Sequence, residues 1–218
     1  RLMTEKPPIK RLSATAIQDF LTCPMLWLGR RIMRWPETIS PYSAAAMATG
    51  RAIQTALAAH HQGNDATEVL FRTWAELIDV PIARSALQDS LRVVQLYCAQ
   101  YPVHPRDRTE TKFSLTIPGV DVPIIGFLDL VRGALIRDYK TTRYPQSWTQ
   151  ERVDKDIQLT IYHMGLRANP RLRPRLELTV LGLDYPQSLT NYETRRTDND
   201  ILKMRALIMG VYQDMCAE

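Results

Sequence analysis

The spacing of apolar residues predicts that the first hundred residues are mostly helical. Apolar positions recur there every three or four residues, which is the period of one face of an α-helix. Ser13 is a suitable N-cap for the first helix, and Pro24 interrupts or restarts it. Helices are predicted over residues 13–23, 25–33, 43–62, about 65–77 and 84–99. Residues 1–12, which precede them, are predicted to form a flexible N-terminal arm.

After Pro102 and Pro105 the period changes from helical to alternating, which is typical of β-strands. Strands are predicted over residues 109–117, 124–131, 134–142, 175–183 and 190–196, with helices over 154–168, capped by Asp154, and 198–215. This order predicts an α/β (α+β) fold, in which helices flank a central mixed β-sheet. We expect one domain over residues 13–218, with a mostly helical part at 13–101 and a sheet core with a C-terminal helix at 109–218.

Two apolar runs joined at Arg132-Gly133 predict a β-hairpin that carries three charged residues. With a two-residue turn there, Asp129 pairs with Ile136 and lies diagonally from Asp138. Side chains alternate along a strand, so Asp129, Asp138 and Lys140 project from the same face. Two such carboxylates repel each other unless a cation lies between them, and they could chelate one hard cation. The hairpin therefore predicts a metal site.

Composition and charge narrow the class of protein. The chain has 28 Lys and Arg against 23 Asp and Glu, a net charge of +5, which favours a polyanionic partner. Basic clusters occur at Arg30-Arg31, 171–175 and Arg195-Arg196. No apolar stretch is long enough to span a bilayer and no signal-peptide pattern opens the chain, so we expect an intracellular, cytoplasmic protein without a membrane partner. Three widely spaced cysteines argue against a disulfide framework.

Three short motifs follow one another in the second half of the chain. They are Gly126-Phe-Leu-Asp129, Asp138-Tyr-Lys140-Thr-Thr and Gln158-Leu-Thr-Ile-Tyr162. Their order and spacing resemble the PD-(D/E)XK nuclease superfamily, and within it the RecB-like exonuclease branch, which includes the nuclease domains of RecB and AddB and the CRISPR-adaptation exonucleases. The N-terminal residues Ser13, Phe20 and Cys23-Pro24 and the helix with Gly50 and Gln54 also lie where that branch has its own signatures.

The resemblance implies a restriction-endonuclease-like core and a role for each matching residue. Asp129, Asp138 and the backbone carbonyl of Tyr139 would hold Mg²⁺ or Mn²⁺, and Lys140 would act electrostatically in phosphodiester hydrolysis. Gln158 and Tyr162 would contact DNA or orient the lysine. The implied substrate is DNA, as single strands or ends, in a prokaryotic or phage-encoded repair, recombination, phage or CRISPR process with possible protein partners.

The resemblance departs from the family pattern at Gln54. Many RecB-like enzymes have a histidine ligand at this position. The amide oxygen of glutamine can bind a hard cation, but more weakly than imidazole binds Mn²⁺. His61, two turns further along the predicted helix, could substitute, although a surface position is the simpler expectation.

Glu110 is either an acidic residue near the site or a solvated carboxylate at a strand end. Cys23-Pro24 matches an iron–sulfur ligand position, but three cysteines cannot form a four-cysteine cluster, so no cluster is expected within these residues. Cys23 is a ligand candidate only if the natural chain extends; otherwise we expect a buried small apolar residue.

Three alternatives remain open at this stage. Asp138 and Lys140 could form a structural ion pair in a sheet that binds no metal. The chain could be a catalytically weak or inactive DNA-binding module that keeps the nuclease fold, as Gln54 suggests. It could also be an unrelated α+β enzyme, in which case Asp129 and Asp138 would not face each other.

Overall fold

The computed structural model describes residues 9–36, 39–76, 84–167 and 173–217. Predictions for residues 1–8 of the arm, for residue 77, for residue 168 and for residues 171–172 of a basic cluster lie outside these ranges. The helices are α1 (Ala14–Thr22), α2 (Pro24–Trp27), which continues as a π-helical segment (Leu28–Met33), α3 (Pro41–His61), α4 (Ala66–Ala75), α5 (Arg84–Gln100), α6 (Gln150–Asp154), α7 (Ile157–Leu166) and α8 (Asp198–Ala217). The strands are β1 (Asp107–Leu115), β2 (Ile124–Arg132), β3 (Leu135–Thr142), β4 (Arg175–Gly182) and β5 (Ser188–Thr194).

The five strands form one mixed sheet in the order β1-β2-β3-β4-β5. The β3–β4 pair is parallel and the other three pairs are antiparallel. The parallel pair needs a crossover, which α6 and α7 provide on one face of the sheet. The predicted central mixed sheet with flanking helices is therefore confirmed.

Two hydrophobic clusters cover the two faces of the sheet. On one face, α1, α7 and α8 pack together over residues such as Ile136 and Leu178. On the other face, α3, α4 and α5 pack over Leu130 and Tyr139. The helical first half thus forms one complete layer and contributes α1 to the second layer. Within the described ranges, no helix is long and apolar enough to cross a bilayer.

Local signals set several helix boundaries as predicted. The Ser13 hydroxyl accepts a hydrogen bond from the Ala16 backbone, which confirms the N-cap of α1, and Pro24 begins α2. The predicted helix over 154–168 is two helices instead. Asp156 caps α7 by accepting from the Leu159 backbone at 2.8 Å, so the predicted cap at Asp154 is wrong.

The segment before α1 is held against the sheet where the structure describes it. Leu12, predicted within the flexible arm, is buried and forms a parallel bridge to Ile124. Its N–H donates to the Pro123 carbonyl and its own carbonyl accepts from Ile125, both at 2.9 Å. The apolar side chain of Leu12 explains the difference, because burial outweighs the composition signal of its neighbours.

Candidate active site

The β2–β3 hairpin brings Asp129 and Asp138 together in a different register from the predicted one. The turn is Gly133-Ala134, and Arg132 pairs with Leu135, which shifts the register by two residues. Gly133 takes the first turn position with φ of 62°, a left-handed conformation that favours glycine. Because a shift of two residues leaves every side chain on its original face, the predicted convergence survives.

Asp129 and Asp138 lie next to each other where the β2–β3 ladder ends. The last pair of the ladder is Leu130 with Arg137, and the two aspartates are the next residues along each strand. Their side chains are close enough for each carboxyl to shift the pKa of the other. The facing carboxylates exclude the alternative in which these residues belong to an ordinary sheet and do not meet.

Both carboxylates carry a large electrostatic cost. Asp138 is 2% exposed, and its Oδ2 lies 2.7 Å from the Nζ of Lys140, yet receives no hydrogen bond of good geometry within the described residues. Asp129 Oδ2 accepts a hydrogen bond from the Tyr139 backbone at 3.0 Å. Burial, followed by repulsion from Asp138, raises the pKa of Asp129 well above its ordinary value. Burial also raises the pKa of Asp138, and Lys140 offsets only part of that effect.

Lys140 is fixed by a chain of polar contacts to α7. Its Nζ donates to the Oε1 of Gln158 at 2.8 Å, and the Nε2 of Gln158 donates to the hydroxyl of Tyr162. Gln158 and Tyr162 are four residues apart and so lie on one face of the helix. Burial alone would lower the pKa of Lys140, but the Asp138 carboxylate outweighs it and the pKa is raised. The lysine is therefore held as an ammonium beside the carboxylates.

The glycine of the first motif is required by a close contact. A Cβ on Gly126 would lie 2.6 Å from the Phe113 ring. That ring in turn packs edge-to-face on Tyr162, with centroids 5.8 Å apart. Because Gly126 has no side chain, the Phe113 ring of β1 can pack against Tyr162, on the face of α7 whose Gln158 contacts Lys140. The sequence offered no signal for Phe113 beyond its place in a predicted strand.

The sequence suggested three further residues for the site, Gln54, His61 and Glu110, and only one of them lines the carboxylate cleft. Gln54, on α3, lines the same cleft as Asp129, Asp138 and Lys140. His61 does not line it: His61 is 4% exposed, its Nδ1 is 2.8 Å from Asp107 Oδ2, and its Nε2 is 2.8 Å from the Tyr97 hydroxyl. The expected surface position of His61 is therefore wrong, and both of its ring nitrogens are already engaged.

Glu110 lies opposite Asp129 on β1 and its charge helps to raise the pKa of Asp129, but its side chain does not line the carboxylate cleft. The flanking ladder pairs are Thr109 with Leu130 and Thr111 with Leu128. Glu110 has φ of 47°, a strained backbone conformation for a residue other than glycine. Its exposed side chain lines a separate cleft between α3 and α4. Glu110 is thus neither a strand-end residue nor a wall of the carboxylate cleft.

Cys23 is exposed at the end of α1, so the expectation of a buried small apolar residue is wrong. Arg30 and Arg31, one of the basic clusters, both form ion pairs with Asp19, at 3.1 and 2.8 Å. Their charge is therefore partly neutralised within the protein.

The carboxylates open into a cleft of about 990 Å³ with a basic rim. Lys10, Arg11, Arg31 and Arg34 line it together with the start of α1. A concave surface lined by one sign of charge attracts a ligand of the opposite sign. Sequence reasoning missed Lys10, Arg11 and Arg34, because the first two fall in the predicted arm and Arg34 follows a helix end without any motif.

The donors at this cleft fit a small hard cation. Among the described residues, no group of three or more His, Cys, Asp and Glu side chains is placed to hold a metal ion. Mg²⁺ is nevertheless commonly held by one or two carboxylates, with waters and substrate phosphates completing its shell. Two neighbouring carboxylates, the unsatisfied Asp138 Oδ2 and the neutral oxygen of Gln54 match that chemistry.

Fold and cleft together define the class of protein. A mixed sheet flanked by helices, with a carboxylate pair and a lysine on adjacent strands, is a restriction-endonuclease-like α/β fold. The sequence matches the PD-(D/E)XK nuclease superfamily over residues 11–212. The chain belongs to that superfamily, whose members generally use divalent metals and act on DNA.

Comparison with solved structures finds this fold at low sequence identity. A crystal structure from Eubacterium rectale, described as a candidate exonuclease, superposes with a TM-score of 0.65 at 11% identity, covering 95% of this chain and 80% of that one. A structure described as SSO0001 gives a TM-score of 0.39 at 12% identity, covering 99% and 79% of the two chains. No curated protein sequence matches the chain.

Proposed function

We propose that the protein is a divalent-metal-dependent deoxyribonuclease of the RecB-like branch, an exonuclease that acts on DNA ends or single strands. The observation that carries this proposal is the close carboxylate pair of Asp129 and the buried Asp138, with the Nζ of Lys140 at 2.7 Å from Asp138 Oδ2. A structural ion pair would need one carboxylate, whereas a second buried carboxylate adds only repulsion unless the site takes up a cation. The similarity to a candidate exonuclease from Eubacterium rectale agrees with this proposal.

The proposal assigns the cation to oxygen donors on three elements. Asp129, Asp138 and the backbone carbonyl of Tyr139 would hold Mg²⁺ or Mn²⁺, with Gln54 as a further donor from α3. When bound, such a cation neutralises the scissile phosphate and lowers the pKa of water.

Lys140 supplies a positive charge that is already in position. Its Nζ forms an ion pair with Asp138 and donates one hydrogen bond to Gln158, and an ammonium has three N–H donors, so it can also reach a phosphate oxygen or the attacking water. Because Gln158, itself bonded to Tyr162, fixes the ammonium before the substrate arrives, little reorganisation is needed as charge develops on the phosphate. Gln158 and Tyr162 are therefore proposed as positioning residues.

The basic rim supports a nucleic-acid substrate. Lys10, Arg11 and Arg34 have no ion-pair partner within the described residues and can neutralise backbone phosphates beside the carboxylates. We place the activity in cytoplasmic DNA repair, recombination, or phage or CRISPR DNA processing, where protein partners in a larger complex are part of the proposal.

A second candidate is a DNA-binding module with weak or no turnover. The specific observation is Gln54, which lines the cleft where many RecB-like enzymes have histidine. With two carboxylates as the charged ligands, cation affinity would then be low. Such a module binds DNA with strong salt dependence, and it shows little or no cleavage whichever divalent cation is added.

Cleavage of end-labelled DNA tests both candidates. Purified protein should degrade 5′- and 3′-labelled single strands with Mg²⁺ or Mn²⁺, and the position of the label in the products gives the polarity. Asp138→Asn and Lys140→Ala should lower the rate at least about 1,000-fold, as expected for loss of a group that stabilises the transition state. Asp214→Asn and Lys203→Ala, exposed changes of the same charge on α8, are matched controls. Cleavage that persists in both active-site variants would refute this mechanism.

A further inference from the structure

A second basic cleft lies at the other end of strand β3. It is bounded by the β2–β3 turn, the end of α7, the start of β4, the end of β5 and the start of α8, and its volume is about 720 Å³. We call it the arginine cleft, because its lining includes Arg132, Arg167, Arg173, Arg175, Arg195 and Arg196. Asp198 is the only acidic side chain among the lining residues that the structure describes. A strong positive charge is therefore concentrated there.

Some of these arginines are committed to structural contacts. Arg196 is buried and donates to five oxygens, including the hydroxyls of Thr160 and Thr194. Arg132 forms an ion pair with the buried Asp107 at 2.6 Å. Arg167 forms an ion pair with Asp198 at 2.7 Å, and Arg175 forms one with Glu177 at 3.3 Å. The other two arginines therefore determine what the cleft can bind.

Arg173 and Arg195 are exposed and have no hydrogen bond or ion pair within the described residues. Arg195 directly follows β5 and Arg175 begins β4, and the neighbouring ladder pair is Leu176 with Thr194. Arg175 and Arg195 are the next residues beyond that pair, and like charges across neighbouring strands repel each other. Glu177 offsets part of this repulsion through its ion pair with Arg175, and an anion bound between the guanidinium groups would offset more of it.

A buried histidine adds an unsatisfied polar group to the same cleft. His163 is 5% exposed, lines the cleft, and its Nδ1 has no hydrogen-bond partner within the described residues. Burial, followed by Arg167 and Arg196, lowers the pKa of His163 to about 4, so the ring is neutral at pH 7. A neutral imidazole carries one N–H donor that an anion oxygen can accept.

The arginine cleft and the carboxylate cleft share two elements. Along β3, Leu135 lines the arginine cleft and Asp138 and Lys140 line the other, a separation of roughly 10–17 Å at about 3.3 Å per residue. Along α7, Gln158 lines the carboxylate cleft and His163 lines the arginine cleft. One strand of a DNA duplex advances about 3.4 Å per phosphate, so about three to five nucleotides cover this separation.

We propose that the arginine cleft binds backbone phosphates of the DNA that the carboxylate cleft acts on, a few nucleotides from the scissile bond. Arg173 and Arg195 provide the charge, and His163 provides an N–H donor at the base of the cleft. This inference rests on the proposed nuclease function, since it identifies a second contact with the same substrate. Arginine suits the role because its guanidinium can donate two parallel hydrogen bonds to one phosphate.

DNA-binding measurements with a charge-matched control test the inference. The variant is Arg173→Ala with Arg195→Ala, and the control is Arg72→Ala with Arg92→Ala, two exposed arginines on α4 and α5 across the sheet. Anisotropy of labelled DNA in EDTA, across about 50–200 mM salt, gives the affinity and its salt dependence. We expect the variant to bind roughly tenfold or more weakly at about 0.1 M salt, and its log–log salt slope to fall by about 1.4–1.8.

Separate readouts distinguish failure of this inference from failure of the proposed function. In the cleavage assay, the variant should lose activity on long DNA and keep wild-type activity on a dinucleotide, which is too short to reach the arginine cleft. Equal DNA affinity and salt slope for the variant and the control pair would overturn the inference even if the protein is an active nuclease. Loss of DNA affinity in the variant would support it even if no cleavage is found. The wild-type protein could also bind inorganic phosphate or a mononucleotide. If the variant loses that binding while its DNA affinity is unchanged, the ligand of the cleft is a free phosphate and the inference is overturned.

Discussion

Replacing Asp129 by Asn should stabilise the metal-free protein while it abolishes cleavage. Asp129 faces the buried Asp138, and burial and mutual repulsion both disfavour two charged carboxylates. Asparagine has nearly the same shape, and its side-chain oxygen can still accept the hydrogen bond from the Tyr139 backbone. The substitution therefore removes a charge with little change in packing.

The expected gain in unfolding free energy on replacing Asp129 by Asn follows from Coulomb's law. Two unit charges about 5 Å apart repel by about 3 kcal/mol at an effective dielectric constant of about 20. Attraction to Lys140 and partial protonation of the pair reduce this, so we expect a net gain in unfolding free energy of about 1–2 kcal/mol. For a chain of this size, that raises Tm by roughly 2–8 °C.

The pH dependence has a definite sign. A carboxyl whose folded pKa is raised contributes its stability at low pH, and this stability is lost as pH rises through the folded pKa. The pKa of Asp129 is raised well above its ordinary value of 3.8, so wild type and variant should be equally stable near pH 4. The difference in unfolding free energy between the variant and wild type should increase towards pH 7.

Thermal unfolding in EDTA from about pH 4 to pH 8 measures this difference, with Asp214→Asn as an exposed control. Adding Mg²⁺ should reverse the order, because saturation at about 100 times Kd stabilises wild type by about 2.7 kcal/mol and the variant by much less. A variant that is less stable than wild type in EDTA at pH 7, or a gain that does not change with pH, would refute the reasoning.

Three further substitutions test the surroundings of the site. Gly126→Ala places a Cβ 2.6 Å from the Phe113 ring and should lower the unfolding free energy by about 1–3 kcal/mol, measured by urea denaturation. Glu177→Ala leaves the buried Arg137 without its carboxylate partner and should cost about 3–5 kcal/mol in the same assay. Gln158→Leu removes the acceptor that holds Lys140, the proposed catalytic lysine, and should lower kcat up to about 100-fold, with a smaller change in KM.

Each of these predictions has a result that contradicts it. Unchanged denaturation midpoints in the Gly126 or Glu177 variant would show that the contact does not constrain packing. A Gln158 variant that raises KM with kcat unchanged would show that this amide binds substrate and does not position the lysine.

The sequence by itself predicted which side chains meet in the hairpin. Alternation along a strand is a local property of the chain, and it assigns Asp129, Asp138 and Lys140 to one face whether or not the register is correct. The helical and alternating periods likewise predicted the element order, and Ser13 and Pro24 set helix ends through contacts within a few residues. The ordered motifs also indicated the superfamily, which the match over residues 11–212 confirms.

Tertiary structure decided what depends on distant parts of the chain. The turn at Gly133-Ala134, and so the position of Asp129 and Asp138 next to the last pair of the ladder, is fixed by pairing along the strands and not by turn composition alone. His61 is buried because Tyr97 and Asp107, 36 and 46 residues away, accommodate its ring nitrogens. The arginine cleft forms only because the start of β4, the end of β5 and the end of α7 come together in the folded protein. Such contacts arise from strand order and helix packing, which no local period in the sequence encodes.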